Sequence, residues 1–407
     1  MPPVNVTPYD YIFAGAGLAG LTLATEMAER PAFRNRRMLL IDRDDKTRND
    51  RTWCFWASEW EPLPPVVFQR WEKCHFYSPG FASLLDFSPY RYHMIRGSDF
   101  YQWAKSRLAS HAGIDLVRAD VLQIDAQNGT VDTSAGRFQG DMVFNSALVK
   151  KELVPSQNAL FPSPFSVSGS SKALNAIYLL QHFKGWVVRT KQAAFDPEHP
   201  TFMDFRVSQQ GETRFVYVLP FSATEALVEF TVFSPALLPP DAYDEALAVY
   251  LRQYLQLHDF TVVEEEFGVI PMTDWSFGPR REGRVFHIGT AGGFVKASSG
   301  YAFLRTQRRL RAFLDHWEQT GRPDESLLRS QKRFRILDSI FLRVLADRGE
   351  LGHDVFRRLF QRLPAPTVLR FLDEDATFAD ILRVVSAPPV LPFLVAAFRQ
   401  IPRYYQV

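Results

Sequence analysis

With 407 residues, the chain is long enough for two or more lobes with separate cores. Its net charge of +2 leaves no electrostatic footprint for nucleic acid, and two cysteines, Cys54 and Cys74, are too few for a disulfide framework or a cysteine metal centre. No stretch approaches about 18 consecutive apolar residues, the length that spans a membrane, and the start reads as no secretory leader. The 14% aromatic content points either to aromatic-rich cores or to a large apolar or cationic ligand.

The first apolar, β-prone run is Tyr9-Asp10-Tyr11-Ile12-Phe13-Ala14, followed by Gly15-Ala16-Gly17-Leu18-Ala19-Gly20. Leu18, Leu21, Leu23, Ala24, Met27 and Ala28 then fall at helical spacing. Residues 38–41 form a second strand that ends on Asp42. In this order each glycine has a task. Gly15 turns the chain out of the strand, Gly17 lets a pyrophosphate approach the backbone, and Gly20 lets helix and strand pack closely. The helix N-terminus offers unpaired N–H groups and a positive dipole end to phosphates. Asp42 lies roughly 20 residues beyond Gly20, where a carboxylate meets a ribose hydroxyl. We therefore assign Gly15, Ala16, Gly17, Leu18, Ala19, Gly20 and Asp42 to a dinucleotide cradle. FAD and NAD both use this arrangement, so the element alone does not choose between them.

Residues 44–50 read as a polar loop that runs into Asn49-Asp50-Arg51-Thr52-Trp53-Cys54-Phe55-Trp56. Residues 77–92 suggest a strand-rich excursion, 98–108 a helix, 114–140 two or three strands, and 142–146 a buried strand. From about residue 153 the pattern changes to antiparallel strands: 181–189, 203–207, and a pair, 214–220 and 225–232, joined across 221–224. A helix covers 241–255. Strand 284–288 then enters a second glycine turn, Gly289-Thr290-Ala291-Gly292-Gly293, before a helix over 299–316. The remainder from 323 is mainly helical, with Phe334, Ile336, Leu337, Ile340, Phe341 and Val344 as an apolar stripe.

This layout predicts an α/β fold in four parts. A Rossmann-type lobe covers 1–150, an inserted antiparallel β lobe 151–265, a return to the first lobe 266–310, and a helical C-terminal part 311–407. The discontinuity fits a two-part FAD-binding flavoprotein, glutathione-reductase-like or hydroxylase-like, better than a simple dehydrogenase. In such a fold Gly289, Thr290, Ala291 and Gly292 meet the flavin end.

The segment from Asn49 to Trp56 is one of several motifs in a fixed order across residues 9–305. The others are Gln181-His182-Phe183-Lys184-Gly185-Trp186, Leu219-Pro220-Phe221-Ser222, Glu229-x-Thr231, Ile270-Pro271-Met272-Thr273, and the second glycine turn running on to Ser299-Gly300-Tyr301. Their combination resembles the lycopene cyclases of the bacterial and plant flavoprotein type. The resemblance implies reduced FAD, with NADPH as the source of electrons. It implies a redox-neutral, acid-initiated cyclisation of lycopene or a related linear carotenoid, closing ψ-ends into β-ionone rings. It also implies a cytoplasmic enzyme held peripherally on lipid at the inner face of the cell membrane, with no metal. Three places depart from the family pattern. Phe230 stands where a second acid is common, Asn145-Ser146-Ala147 where Asp-Ser-Arg is, and Trp56 where His is. These bear on end-group preference and on whether γ-carotene or β-carotene is made.

On this resemblance Glu229 is the acid. Held among Leu227, Val228, Phe230 and Val232, a carboxyl keeps its proton at neutral pH; taken alone, the strand reads as carrying an exposed glutamate. Trp53, Phe55, Trp56 and Phe221 are expected to line the substrate cavity, with Trp53, Phe55 and Trp56 offering π-faces to a cation or else plugging the lobes together. Asp50 and Arg51 orient their loop or pair with each other. Glu266 falls in the family's Glu-x-Gly-x-Ile-Pro pattern, as a flavin contact or a structural group. Lys296 either neutralises an anionic flavin or bridges at the surface. His75, His93, His182 and His287 show no metal spacing. Arg305, Arg308, Arg309 and Arg311 face anionic lipid or form a solvated helix face, and residues 391–398 dip into a bilayer or pack in a core. Rival classes on this scaffold are an FAD-dependent monooxygenase or reductase acting on a polyisoprenoid, and a non-catalytic carotenoid-binding flavoprotein.

Overall fold

The computed structural model describes residues 9–147, 176–275 and 277–404. The chain begins with β1 (Tyr9–Ala14), α1 (Leu18–Glu29) and β2 (Met38–Asp42). An excursion follows through β3 (Thr52–Ser58), β4 (Gln69–Trp71), β5 (Lys73–Ser78), β6 (Phe81–Asp86) and β7 (Tyr90–Arg96). Then come α2 (Gly97–Leu108), β8 (Ile114–Arg118), β9 (Val121–Asp125), β10 (Thr130–Thr133) and β11 (Gly136–Asn145). A second lobe contains β12 (Tyr178–Arg189), β13 (Thr201–Asp204), β14 (Thr213–Ser222), β15 (Glu225–Ser234), α3 (Pro240–Gln253) and β16 (Thr261–Thr273). The chain returns with β17 (Arg281–Glu282), β18 (Val285–His287) and α4 (Phe303–Thr320). It finishes in α5 (Lys332–Asp347), α6 (Gly352–Arg362), α7 (Ala365–Leu372), α8 (Phe378–Ser386) and α9 (Val390–Gln400).

Strand order in the first sheet is β17-β18-β11-β1-β2-β8, with β9 and β10 attached through β11. β18, β11, β1, β2 and β8 run parallel. Parallel strands covered on both faces read as unbroken apolar runs. That is why Ile12-Phe13-Ala14 and Met38-Leu39-Leu40-Ile41 are buried without alternation. The second sheet is ordered β16-β12-β15-β14-β13-β5-β6 and is antiparallel except where β13 meets β5. Its one face takes α3 against Val188, Val216, Val228, Phe230 and Val232. Its other face packs Leu219, Leu227 and Phe233 with Trp56, Tyr92 and the helices α6 and α7. A three-stranded sheet, β3-β7-β4, stands between the lobes.

Four expectations need correction or placement. β5 and β6 fall in the span assigned to the first lobe, yet they complete the second sheet, because β13 would otherwise expose an open edge. β16 continues to Thr273, so the return to the first lobe begins later than residue 266. The helix expected from residue 299 begins at Phe303, after tight turns in which Ser299 and Gly300 both donate to the Lys296 carbonyl. The boundary at 150/151 lies outside the described residues.

Candidate active site

The first glycine loop has the geometry of an anion cradle. Gly15 sits at φ +101°, and a Cβ there would meet Ser146 Oγ at 2.4 Å. Gly20 lies against the turn itself: its Cβ would stand 2.0 Å from the Gly15 carbonyl oxygen. Around Gly17 no atom lies within 4 Å of a built Cβ, and α1 begins there without a side-chain cap. An open approach to uncapped N–H groups fits a phosphate. Asp42 closes the other side, accepting from Ala16 N (2.8 Å) and Asp44 N (2.9 Å). The second glycine turn packs on the first: a Cβ on Gly289 would meet Ala19 Cβ at 2.9 Å and Ser146 Cβ at 3.3 Å. Thr290 and Ala291 are half-buried beside it, and Gly292 is buried.

On the second sheet the central feature is a pair of carboxyl groups. Gly185 on β12 is paired with Glu229 on β15 on one side and with Glu266 on β16 on the other. Alternate residues of a strand share a face. Both acids therefore project with Leu227 and Phe233, away from α3. Gly185 leaves the space between them free: a Cβ there would stand 3.0 Å from Glu266 Cγ, 3.3 Å from Glu266 Oε1 and 2.8 Å from Leu227 Cδ1. Glu229 Oε1 accepts from Thr231 Oγ1 (2.9 Å), and Glu266 Oε2 accepts from Thr52 Oγ1 (2.8 Å).

Glu229 is partly accessible and Glu266 is buried, with its Oε1 unpartnered among the described residues. Burial and then the neighbouring Glu266 hold Glu229 well above the usual carboxylate range. Burial also raises Glu266, while hydrogen bonds from Glu229 and Thr52 pull it back. Two carboxylates sharing a dry site retain a proton between them, and here Glu229 is the holder. Glu266 also lines a small pocket, about 250 Å³ of empty space with its open mouth included, together with Asn49, Thr52, Arg96, Val187 and Phe221.

Neutral aromatic groups surround the pair. Tyr217 stands directly opposite Glu229 on β14. Burial raises Tyr92, Tyr217, Tyr301 and Cys54, so all stay protonated at neutral pH. Trp56 meets Tyr301 edge to face at 4.7 Å. Trp56 Nε1, Gln181 Oε1 and Ser299 Oγ are buried without partners among the described residues. Gln181 reaches the segment after the second glycine turn, since a Cβ on Gly300 would strike its Oε1 at 2.0 Å. Orphaned buried polar atoms are rare because each costs about 1–3 kcal/mol. A flat group with polar edges would satisfy such atoms.

Several expected residues lie elsewhere. Trp56 is on the Glu229 side of β3, but strand alternation turns Trp53 and Phe55 the other way. Trp53 packs on Phe100, Tyr101 and Phe303, and Phe55 stacks on Phe303 at 4.7 Å, in the core of the first lobe. Phe221 lines the cavity beside Glu266 and packs on Phe68. Asp50 and Arg51 do pair with each other, and Asp50 also accepts from the Tyr101 hydroxyl (2.9 Å).

Lys296 does not bridge at the surface. It is 1% exposed and bound to Asp338 (2.6 Å) and Glu374 (3.5 Å). Breaking such a buried pair costs roughly 3–5 kcal/mol. The arginine run does not face outward either: Arg305 and Arg309 pair with Glu374, Arg308 with Glu61 and Asp373, and Arg311 with Glu26. His182 is a satisfied core histidine between Tyr243 and Ser234, pushed down to about 4 by burial. The fold does bring His75, Asp196 and His199 together, with ligand atoms within 4.8 Å of one another; this is a grouping that sequence spacing does not reveal.

The sequence reading missed Gly185, Thr52, Tyr217 and Tyr301 as site residues, and missed the pairing of Glu266 with Glu229. Thr52, Gly185 and Tyr301 stood inside motifs already singled out, but only the folded chain shows what they face.

The family model described as lycopene cyclase protein matches residues 10–398 of the chain. A protein named lycopene beta-cyclase from Pseudescherichia vulneris is 25% identical over 407 residues, covering 94% of this chain and 95% of that protein. A second of that name, from a Paracoccus species, is 26% identical over 420 residues, covering 97% of each. Among solved structures, a flavoprotein/dehydrogenase from Cytophaga hutchinsonii superposes with a TM-score of 0.58 at 12% identity, over 97% of this chain and all of that one. At that identity the likeness is one of fold, and it is the flavoprotein fold expected from the discontinuous layout.

Proposed function

The chain belongs to the lycopene cyclase protein family, and from that premise we propose that it is a lycopene beta-cyclase that works by acid catalysis, with Glu229 as the proton donor. The observation that carries this reading is the carboxyl pair over Gly185. Protonating an olefin needs a strong, positioned acid that is still protonated at neutral pH. Glu229 meets that need because burial and Glu266 raise it.

In this reading the Glu229 O–H proton passes to a ψ-end of lycopene or a related linear carotenoid. The neighbouring double bond closes the six-membered ring on the resulting cation, and loss of a ring proton leaves a β-ring. No electrons are gained or lost overall. Trp56 and the neutral phenols of Tyr217 and Tyr301 offer π-faces to the cation and exclude water.

FAD fits the two glycine turns. Gly15, Ala16, Gly17, Leu18, Ala19 and Gly20 would hold its pyrophosphate, and Asp42 would meet a ribose. Gly289, Thr290, Ala291 and Gly292 would meet the flavin half, where Gln181 and Ser299 would supply unpaired polar atoms. Bound in reduced form, with NADPH as the electron source, it would supply electron density that favours a cation.

Peripheral attachment to the inner face of the cell membrane belongs to the same reading. No single helix among the described residues is long and apolar enough to cross a membrane. Support comes from α8 and α9, which are bent by 118° and leave Phe378, Leu391 and Phe398 at least 71% exposed. Such a corner suits insertion into one leaflet.

The test is Glu229→Gln in a lycopene-accumulating host, with chromatography of the pigments and a flavin assay of the purified protein. The reading requires lycopene to persist while flavin is retained. Cyclised pigment from the variant would reject Glu229 as donor. A pigment altered in mass by oxygen or hydrogens in the wild type would reject the cyclase itself.

A further inference from the structure

On the far side of the segment that follows the second glycine turn lies a pocket with about 620 Å³ of empty space, its open mouth included. Arg280, Arg305, Arg329 and Arg335 line it, against two carboxylates, Asp274 and Asp338. Both carboxylates are already engaged. Asp338 accepts from Lys296 Nζ (2.6 Å) and Ser298 Oγ (2.8 Å), and Asp274 accepts from Ile177 N (2.7 Å) and Ser339 Oγ (2.6 Å). Arg305 is likewise committed, to Glu374 (2.9 Å), the Phe294 carbonyl (3.3 Å) and Ser330 (3.0 Å).

Arg280 is different. It is only 6% exposed, yet its Nε and Nη1 have no partner among the described residues. Its backbone is fixed, because its carbonyl accepts from His287 N (2.8 Å) beside β18. Its guanidinium lies 5.6 Å from the Phe277 ring, whose position is set by contact with Gly293. Arg335 also has a buried, unpartnered Nε. Burial, with the like charges of Arg329 and Arg335, pushes the Arg280 guanidinium down to about 10, which is still charged at neutral pH. A buried, charged and unpaired guanidinium is strongly disfavoured unless an anion completes it.

We propose that this pocket binds a phosphate group, with Arg280 as the buried fork and Arg329 and Arg335 as the flanking cations. The planar fork of arginine matches phosphate oxygens two at a time. A single carboxylate would satisfy one fork and leave the other two cations facing each other, whereas the three or four oxygens of a phosphate serve all three. The phosphate has two possible sources. One is a soluble phosphate ester or inorganic phosphate. The other is a lipid headgroup, since Tyr404, just beyond α9, lines the same pocket and α9 carries the exposed apolar face.

The test uses the full chain loaded with FAD, so that the cofactor's own pyrophosphate is not the anion being read. Calorimetric titration with inorganic pyrophosphate, and sedimentation with phosphatidylcholine vesicles with and without phosphatidic acid, are run on wild type, Arg280→Gln and Arg329→Gln. Saturable pyrophosphate binding, weakened roughly tenfold or more by Arg280→Gln, is expected for a soluble source. Binding that depends on phosphatidic acid and on Arg280, without pyrophosphate binding, assigns the lipid source. Should Arg280→Gln not fold, Arg329→Gln, at an exposed position, is expected to weaken the same binding. Equal binding by wild type and the variants, or no binding of either probe by wild type, overturns the proposal. So does loss of flavin from Arg280→Gln, which would make the anion the cofactor's own.

Discussion

Glu229 and Glu266 face the same glycine, Gly185, from the two strands that flank β12. The consequence is an asymmetric acid pair. Thr231 supports one member and Thr52 the other, and the one proton that burial keeps in the pair resides on Glu229.

Glu266→Gln tests the asymmetry through pH. A donor with a raised pKa is active below that value and loses activity as pH rises through it. Removing the Glu266 charge removes a cause of the rise, so the Glu229 pKa falls. The alkaline limb of the cyclisation rate should therefore move to lower pH in Glu266→Gln, while flavin binding stays. Stability follows the same sign. In the wild type the folded chain holds a proton that the unfolded chain releases near the ordinary glutamate value of about 4.3, so stability declines above that pH. The decline should be shallower in the variant. An unshifted limb would mean that Glu266 does not tune the donor.

Gly185→Ala probes the space between the acids. The new methyl would press on Glu266 Cγ at 3.0 Å and Leu227 Cδ1 at 2.8 Å. Overpacking of this kind costs about 1–3 kcal/mol, which a folded domain survives. Cyclisation should drop by at least roughly tenfold through the misplaced carboxyls, with flavin retained. Wild-type turnover in this variant would show that the carboxyls need not meet.

Much of this arrangement was legible in the chain. The βαβ unit around Gly15, Gly17 and Gly20, and the hairpin of β14 and β15, follow from local pattern, because glycines and apolar periodicity act over a few residues. The carboxyl pair does not, because Glu229 and Glu266 meet only through the register of three strands. Trp53 and Trp56 illustrate the same limit. They stand three apart on one strand, so alternation sends them to opposite faces, but sequence cannot say which face meets the acid. The burial of Lys296 was not legible either, because its partners, Asp338 on α5 and Glu374 in the turn after α7, come from far along the chain.

The glycine loop makes two separable demands. Gly17→Ala adds a methyl where no atom lies within 4 Å, so the melting temperature should change little while flavin affinity falls. Gly20→Ala drives a methyl to 2.0 Å from the Gly15 carbonyl, so both stability and flavin should be lost. Thermal melts with and without added FAD separate the two. Full flavin affinity in Gly17→Ala would show that the open space is not where a phosphate rests.

The last prediction concerns the exposed corner of α8 and α9. Leu391 and Phe398 are 72% and 81% exposed and touch the core little, so replacing both with Ser should leave the fold intact. If this corner enters lipid, each side chain contributes up to about 1.5–3 kcal/mol to binding, less whatever it already shelters. The double variant should then partition roughly tenfold to a hundredfold less onto vesicles, since about 1.4 kcal/mol is one decade. The effect should be insensitive to salt, because the two replaced side chains carry no charge. Sedimentation with neutral vesicles at low and high salt reads both points. Unchanged partitioning would assign the apolar corner to something other than a bilayer, and a strong salt dependence would shift the contact to charged groups elsewhere on the surface.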